Sequence, residues 1–187
     1  MKTLAAAAMG ALAALAIATE PVAAASAGPA PLSARQVQDR LAIEDLMGRY
    51  EWALDAGDAR AYGALFAEDG VLASVAGEQK GRAAIVKMIE DLVKRFSAAV
   101  PASGVGTSGR RPMRIQHILS NLVVDLHGDT AEARSYWTEI WNPKGPGLEV
   151  RAAGHYEDRL VRRGGTWWFA RRQIVDDIMP ASPPAGG

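Results

Sequence analysis

Two residues far apart in the chain carry side chains suited to proton transfer. Asp55 closes the amphipathic stretch 39–55, and His117 lies inside Arg114-Ile-Gln-His-Ile-Leu-Ser-Asn121. A carboxylate beside an imidazole fixes the ring's tautomer and stabilises its protonated form. If the fold joins the two, they make a general base for a proton on carbon. The structural alternative is that Asp55 braces a helix end and His117 is a satisfied core histidine. Three more side chains are candidates for the same place as substrate-binding groups. Tyr50 falls on the apolar face of the helix that ends at Asp55, and Tyr156 sits in a later strand; each phenol could polarise a substrate oxygen or simply pack. Asn121 follows His117 by four residues, so strand alternation puts both on one face.

Other chemistries are narrowed by what the sequence lacks. The 187 residues include no Cys, which removes thiol nucleophiles and thiolate metal sites. His117, His127 and His155 show no zinc-ligand spacing, so no metal is expected. There is no Gly-x-Ser-x-Gly nucleophile elbow. Gly104 to Gly109 satisfies the G-x-G-x-x-G string but follows a helix and precedes a strand, the reverse of a dinucleotide fingerprint. Lys and Arg balance Asp and Glu at 21 each, which leaves no basic footprint for nucleic acid and no polybasic patch for a membrane.

The elements that must position these groups read clearly. With 49% hydrophobic and 22% charged residues, the chain has the composition of one globular domain. Residues 1–27 form a separate segment: a short positive start at Met1-Lys-Thr, an apolar run from Leu4 to Ala18, and small residues at Ala25-Ser-Ala27. This pattern predicts a cleaved signal peptide, hence a periplasmic or secreted protein without stable membrane insertion. A flexible lead-in over 28–33 precedes the domain at 34–178, and a disordered tail follows over 179–187.

Ser33 caps the first helix, in which Val37, Leu41, Ile43, Leu46, Met47, Tyr50, Ala53 and Leu54 form an apolar face. Gly57 ends it, and Asp58 caps a short second helix through Leu65 and Phe66. Asp69-Gly70 reads as a turn before a strand at 71–76, and a third helix opens at Gly81-Arg82. The segment 101–112 is a long loop of the kind that forms lids, and Arg110-Arg111 within it is read as a solvated pair. Four strands then follow over 113–126, 131–141, 148–162 and 166–175 as an antiparallel meander with hairpin connections. Helices first and strands after give an α+β fold in which three N-terminal helices wrap a curved sheet around a pocket.

The motifs Asp39-Arg-Leu-Ala-Ile-Glu-Asp-Leu46, Leu54-Asp-Ala-Gly-Asp58, Leu65-Phe-Ala-Glu-Asp-Gly-Val71, Gly81-Arg-Ala-Ala-Ile85, Gln116-His-Ile-Leu-Ser-Asn121, Gly154-His-Tyr-Glu-Asp158 and Gly165-Thr-Trp167 occur in order. Together they resemble the SnoaL-like branch of the nuclear transport factor 2-like superfamily. The resemblance implies a cone-shaped, curved mixed or antiparallel sheet with a deep apolar pocket, a common homodimer and no obligatory cofactor. Members related to scytalone dehydratase and lindane dehydrochlorinase pair an Asp at the end of the first helix with a His in the strand after the third. Asp55 and His117 fall at those places, and Asn121 matches an Asn of the dehydrochlorinase. The sequence departs at Ser135, where the dehydratase carries a second histidine, and at Ser74, where it carries a tyrosine. The implied activity is a cofactor-independent lyase or isomerase acting on a small, largely apolar molecule. The alternative is a noncatalytic ligand-binding or dimerisation module of the same fold.

Overall fold

The helix that ends at Asp55 is delimited at both ends by its caps. In this computed structural model, which describes residues 31–99, 115–141 and 148–178, α1 spans Ala34–Asp55. Ser33 Oγ accepts the Gln36 amide while the Gln36 side chain accepts the Ser33 amide, a reciprocal box that satisfies otherwise orphaned donors. Gly57, at φ 64°, turns the chain out of the helix. Asp58 then caps α2 (Ala59–Ala64) through the Ala61 amide. The segment expected to be a signal peptide, residues 28–30 of the lead-in, the loop at 101–112, the loop at 142–147 and the tail lie outside the described residues.

The expected strand at 71–76 is longer and begins earlier, as β1 (Phe66–Ser74), followed by β2 (Gly77–Lys80). Asp69-Gly70 is not a turn between elements. It is an irregularity within β1, where the pairing with the last strand shifts register between Phe66 and Val71. Glycine is required there because a Cβ on Gly70 would stand 2.8 Å from the Phe169 carbonyl oxygen. After α3 (Arg82–Ala99), β3 (Ile115–His127), β4 (Thr130–Trp141), β5 (Glu149–Arg163) and β6 (Thr166–Ile178) form the antiparallel meander. β1 joins β6 in parallel, so the six strands run β2-β1-β6-β5-β4-β3 as a mixed, curved sheet that does not close.

The helices bury their apolar faces against this sheet. Ile43, Met47, Tyr50, Phe66, Ile85, Ile89 and Phe169 are at most 1% exposed and form the centre of the core. Val37 and Leu41, expected on the buried face of α1, are 43% and 60% exposed, so the buried stripe begins at Ile43. Within that stripe sits a carboxylate, Glu51, only 5% exposed.

Candidate active site

β3 is an edge strand, and its exposed edge donors need partners. The end of α1 supplies one. Asp55 accepts the His117 backbone N–H through both oxygens, at 3.2 and 3.1 Å, and stands 2.7 Å from His117 Nδ1 through Oδ1. One carboxylate therefore docks the strand and orients the ring. Because Asp55 accepts from Nδ1–H, the neutral ring carries its lone pair on Nε2, the atom free to take a proton. On that side lies Glu139, paired with His117 across β3 and β4, with Oε2 3.9 Å from Nε2. Arg151 Nη1 holds the other Glu139 oxygen at 3.1 Å.

The electrostatics follow from this surrounding. Burial disfavours the His117 imidazolium, but the Asp55 hydrogen bond and the charges of Glu51, Asp55 and Glu139 outweigh it and raise the pKa above the usual histidine value. Glu51 lies one helical turn before Asp55, on the same side of α1. Burial pushes its carboxyl pKa up, against the favourable charges of Arg172 and His117. The Tyr156 hydroxyl stands beside Glu51 and favours its carboxylate, a smaller effect than burial. The Trp137 ring lies between the two halves of this region, 6.5 Å from His117 and 6.2 Å from Tyr156. Gly154, opposite Trp137 on β5, makes room for the indole: a Cβ there would come within 2.7 Å of it.

This arrangement of three helices on a mixed sheet is matched by the comparisons with known proteins. The SnoaL-like domain pattern matches residues 35–173. The chain belongs to the SnoaL-like family. An NTF2-like protein with a cystatin-like fold from Novosphingobium aromaticivorans is 29% identical, with a TM-score of 0.62 over 81% of this chain and 88% of that one. A protein from the same organism, provisionally assigned as a scytalone dehydratase, is 25% identical, with a TM-score of 0.59 over 81% and 95%. ActVI-ORFA from Streptomyces coelicolor, 22% identical with a TM-score of 0.61 over 79% and 99%, shares the fold. No curated protein matches the sequence.

Within this SnoaL-like domain, Tyr156 joins the dyad's surroundings, whereas Tyr50 is engaged in the core. Its hydroxyl accepts from Tyr62, and its ring packs on Tyr62, Phe66, Tyr156 and Phe169. Burial drives the phenol pKa of Tyr50 and of Tyr156 far up, so both stay neutral.

Asn121 departs from the alternation argument. Ser120 pairs with Tyr136 and Val123 with Arg134, so Asn121 and Leu122 together oppose Ser135 in a bulge. Asn121 takes φ 53° and is exposed, and inward alternation resumes with Leu122, Val124 and Leu126. Asn121 thus lines an outer groove of about 570 Å³ with Val123, Arg134, Ser135, Tyr136 and His155. The sequence reading also missed Glu51 and Glu139 beside the ring. A carboxylate four residues before Asp55 on an apolar helix face was the available signal for Glu51. Among the described residues no cluster of metal-ligating side chains occurs, and no helix is long and apolar enough to cross a membrane.

Proposed function

We propose that this protein is an exported, cofactor-independent lyase or isomerase in which His117 removes a proton from a carbon next to an activating group. The observation that carries the reading is the 2.7 Å contact from Asp55 to Nδ1, which leaves Nε2 as the basic atom. Trp137 and Tyr156 give the neighbourhood an aromatic character suited to a small, largely apolar substrate. The 25% identical relative assigned as a dehydratase is in keeping with elimination chemistry.

The dyad works in sequence. Neutral His117 accepts the proton at Nε2, and Asp55 stabilises the imidazolium that forms. Glu139 steadies the same cation from the other side. The direct test is solvent deuterium incorporation into enolisable cyclic ketones, read by mass spectrometry. Exchange should fall by at least 10²-fold in His117→Ala and also fall in Asp55→Asn, since a positioned base contributes about 10²–10⁴-fold. Exchange unchanged in His117→Ala sinks the assignment.

One observation favours the noncatalytic reading: His117 is flanked by Asp55 and Glu139, as in a structural ion-pair network. A small ligand that binds equally well to the wild type and to the Asp55→Asn, His117→Ala double variant, and leaves chemically unchanged, would make the domain a binding module. Export predicts a mature N-terminus near Gly28, checked by mass spectrometry of the protein recovered outside the cytoplasm. Homodimerisation through the outer sheet face, where Ile118, Val123 and Tyr136 are 49%, 44% and 54% exposed, is checked by sedimentation. Tyr136→Glu should shift a dimer toward monomer.

A further inference from the structure

A second histidine and carboxylate pair lies on the outer face of the sheet. On β5, Tyr156 and Asp158 are buried in the core, so His155 and Glu157, which alternate with them, share the outward side. Asp177 on β6 stands 2.7 Å from His155 Nδ1 through Oδ2. By accepting from Nδ1–H it fixes the ring and leaves the lone pair on Nε2. Glu157 Oε1 lies 3.8 Å from that nitrogen. A carboxylate behind one ring nitrogen, with a second carboxylate beside the other, is the usual setting of a metal-bound imidazole. Around a tetrahedral zinc ion a nitrogen and an oxygen ligand sit about 3.3 Å apart. The Glu157 side chain is 62% exposed and has room to close the remaining distance.

One chain supplies only two such ligands, in keeping with the absence of a three-ligand cluster among its described residues. The place of the pair points to the source of the others. Tyr136, one of the exposed side chains of the dimerisation patch, lies directly opposite His155 on β4. A twofold axis through that patch apposes the same surface of two copies, so each copy offers the same two ligands to the other. Charge points the same way. The groove sets one guanidinium, Arg134, against two carboxylates, Glu157 and Asp177, which leaves an excess of one negative charge beside neutral His155. Two apposed copies double that excess, and a divalent cation neutralises it. The inner pair differs in this respect: Glu139, 3.9 Å from His117 Nε2, is already held by Arg151 at 3.1 Å. Glu157 faces Arg134 across the strands without an ion pair between them, and its charged neighbour is His155.

We propose that two copies of this chain hold a zinc ion between them through His155 Nε2 and Glu157 of each, with Asp177 as the positioning residue that orients each ring. Four protein ligands close the coordination shell, so the ion fixes the dimer and does not activate water. The site requires dimerisation through the outer sheet face, as read above, and is independent of the His117 chemistry.

The experiment strips the full mature chain with a chelator and adds zinc chloride, with assembly followed by sedimentation and binding by calorimetry. Wild type should take up one zinc per two chains, and its dimer dissociation constant should fall by at least tenfold, on the order expected for a site with apparent binding energy well above that of a surface ion pair. His155→Ala and Glu157→Gln should abolish the zinc effect while keeping the dimer seen in chelator. Asp177→Asn should weaken zinc binding about 10–100-fold and leave the chelator dimer unchanged, which a merely structural role would not do. His117→Ala should keep the full zinc effect. X-ray absorption at the zinc edge of the wild-type complex needs no variant, and should show nitrogen and oxygen ligands at about 2.0–2.1 Å with imidazole scattering. A shell of water oxygens alone overturns the site. So does one zinc per chain without a change of assembly, or a zinc effect lost in His117→Ala and kept in His155→Ala. A dimer indifferent to zinc overturns this inference and leaves the dimer reading standing, whereas a chain that stays monomeric with and without zinc removes both.

Discussion

The protonation of one side chain, His117, controls what this site can do, and its surroundings set the sign. With its pKa raised in the folded state, the ring is charged through the ordinary histidine range and becomes a base only at higher pH. Proton abstraction should therefore increase with pH through that raised value. Glu139→Gln removes one of the charges holding the imidazolium, so the rising limb should move to lower pH, as a kcat/KM profile would show. The same linkage affects stability. A group whose folded pKa lies above its unfolded value contributes stability that is fully present below the unfolded pKa, and that contribution is lost as pH rises through the folded pKa. Asp55→Asn should reduce this pH dependence, visible as a flatter plot of denaturation midpoint against pH above pH 6. The pairing of Asp55 with His117 was legible through the family resemblance, because positions counted along a helix and a strand do not by themselves say which residues the fold joins. Glu51 was not, because a single polar residue in an apolar stripe reads as surface until burial is known.

At the scale of elements, the part of the site that the sequence misplaced turns on one backbone irregularity. Strand alternation carries Asn121 onto the His117 face only if β3 is regular, and a bulge moves every later residue across the sheet. Asn121 holds φ 53° at that bulge. Asn tolerates the left-handed region where β-branched residues do not, because Cβ crowds the carbonyl oxygen there. Asn121→Gly should leave stability nearly unchanged, whereas Asn121→Val should cost about 1–2 kcal/mol in chemical denaturation. Equal losses in the two variants would mean that the side chain, not the backbone, is what matters. The caps of α1 belong to the same scale and were fully readable: Ser33 and Gln36 stand at capping-box spacing, and their bonds form as that spacing requires. The β1 start was not readable, because the register shift that absorbs Asp69-Gly70 depends on β6, roughly a hundred residues away in sequence.

At the scale of the whole molecule, helix and sheet are joined by a charge at the centre of the core. Arg172 on β6 is 0% exposed, and it meets Asp158 on β5 through Nε and Nη2, both at 2.7 Å. Its guanidinium lies 4.0 Å from the ring centres of Tyr50 and Tyr156 and 4.2 Å from that of Phe169, and Nη2 also contacts Met47 Sδ at 2.8 Å. Burial opposes the charge, but Asp158 outweighs it and raises the Arg172 pKa, so the arginine stays charged at every accessible pH. Removing one partner strands the other charge in an apolar interior, at a cost of about 3–5 kcal/mol, whereas replacing both by apolar side chains avoids that penalty. Asp158→Leu alone should therefore lower the denaturation midpoint far more than the double change Asp158→Leu with Arg172→Met. Where the double variant folds, it separates stability from function, because Arg172 also helps to set the charge around Glu51. Loss of Arg172 removes a cation that favours the Glu51 carboxylate, so the Glu51 carboxyl should titrate still higher in the double variant, by carbon-13 NMR. A stable double variant with an unmoved Glu51 would show that the core pair serves packing alone.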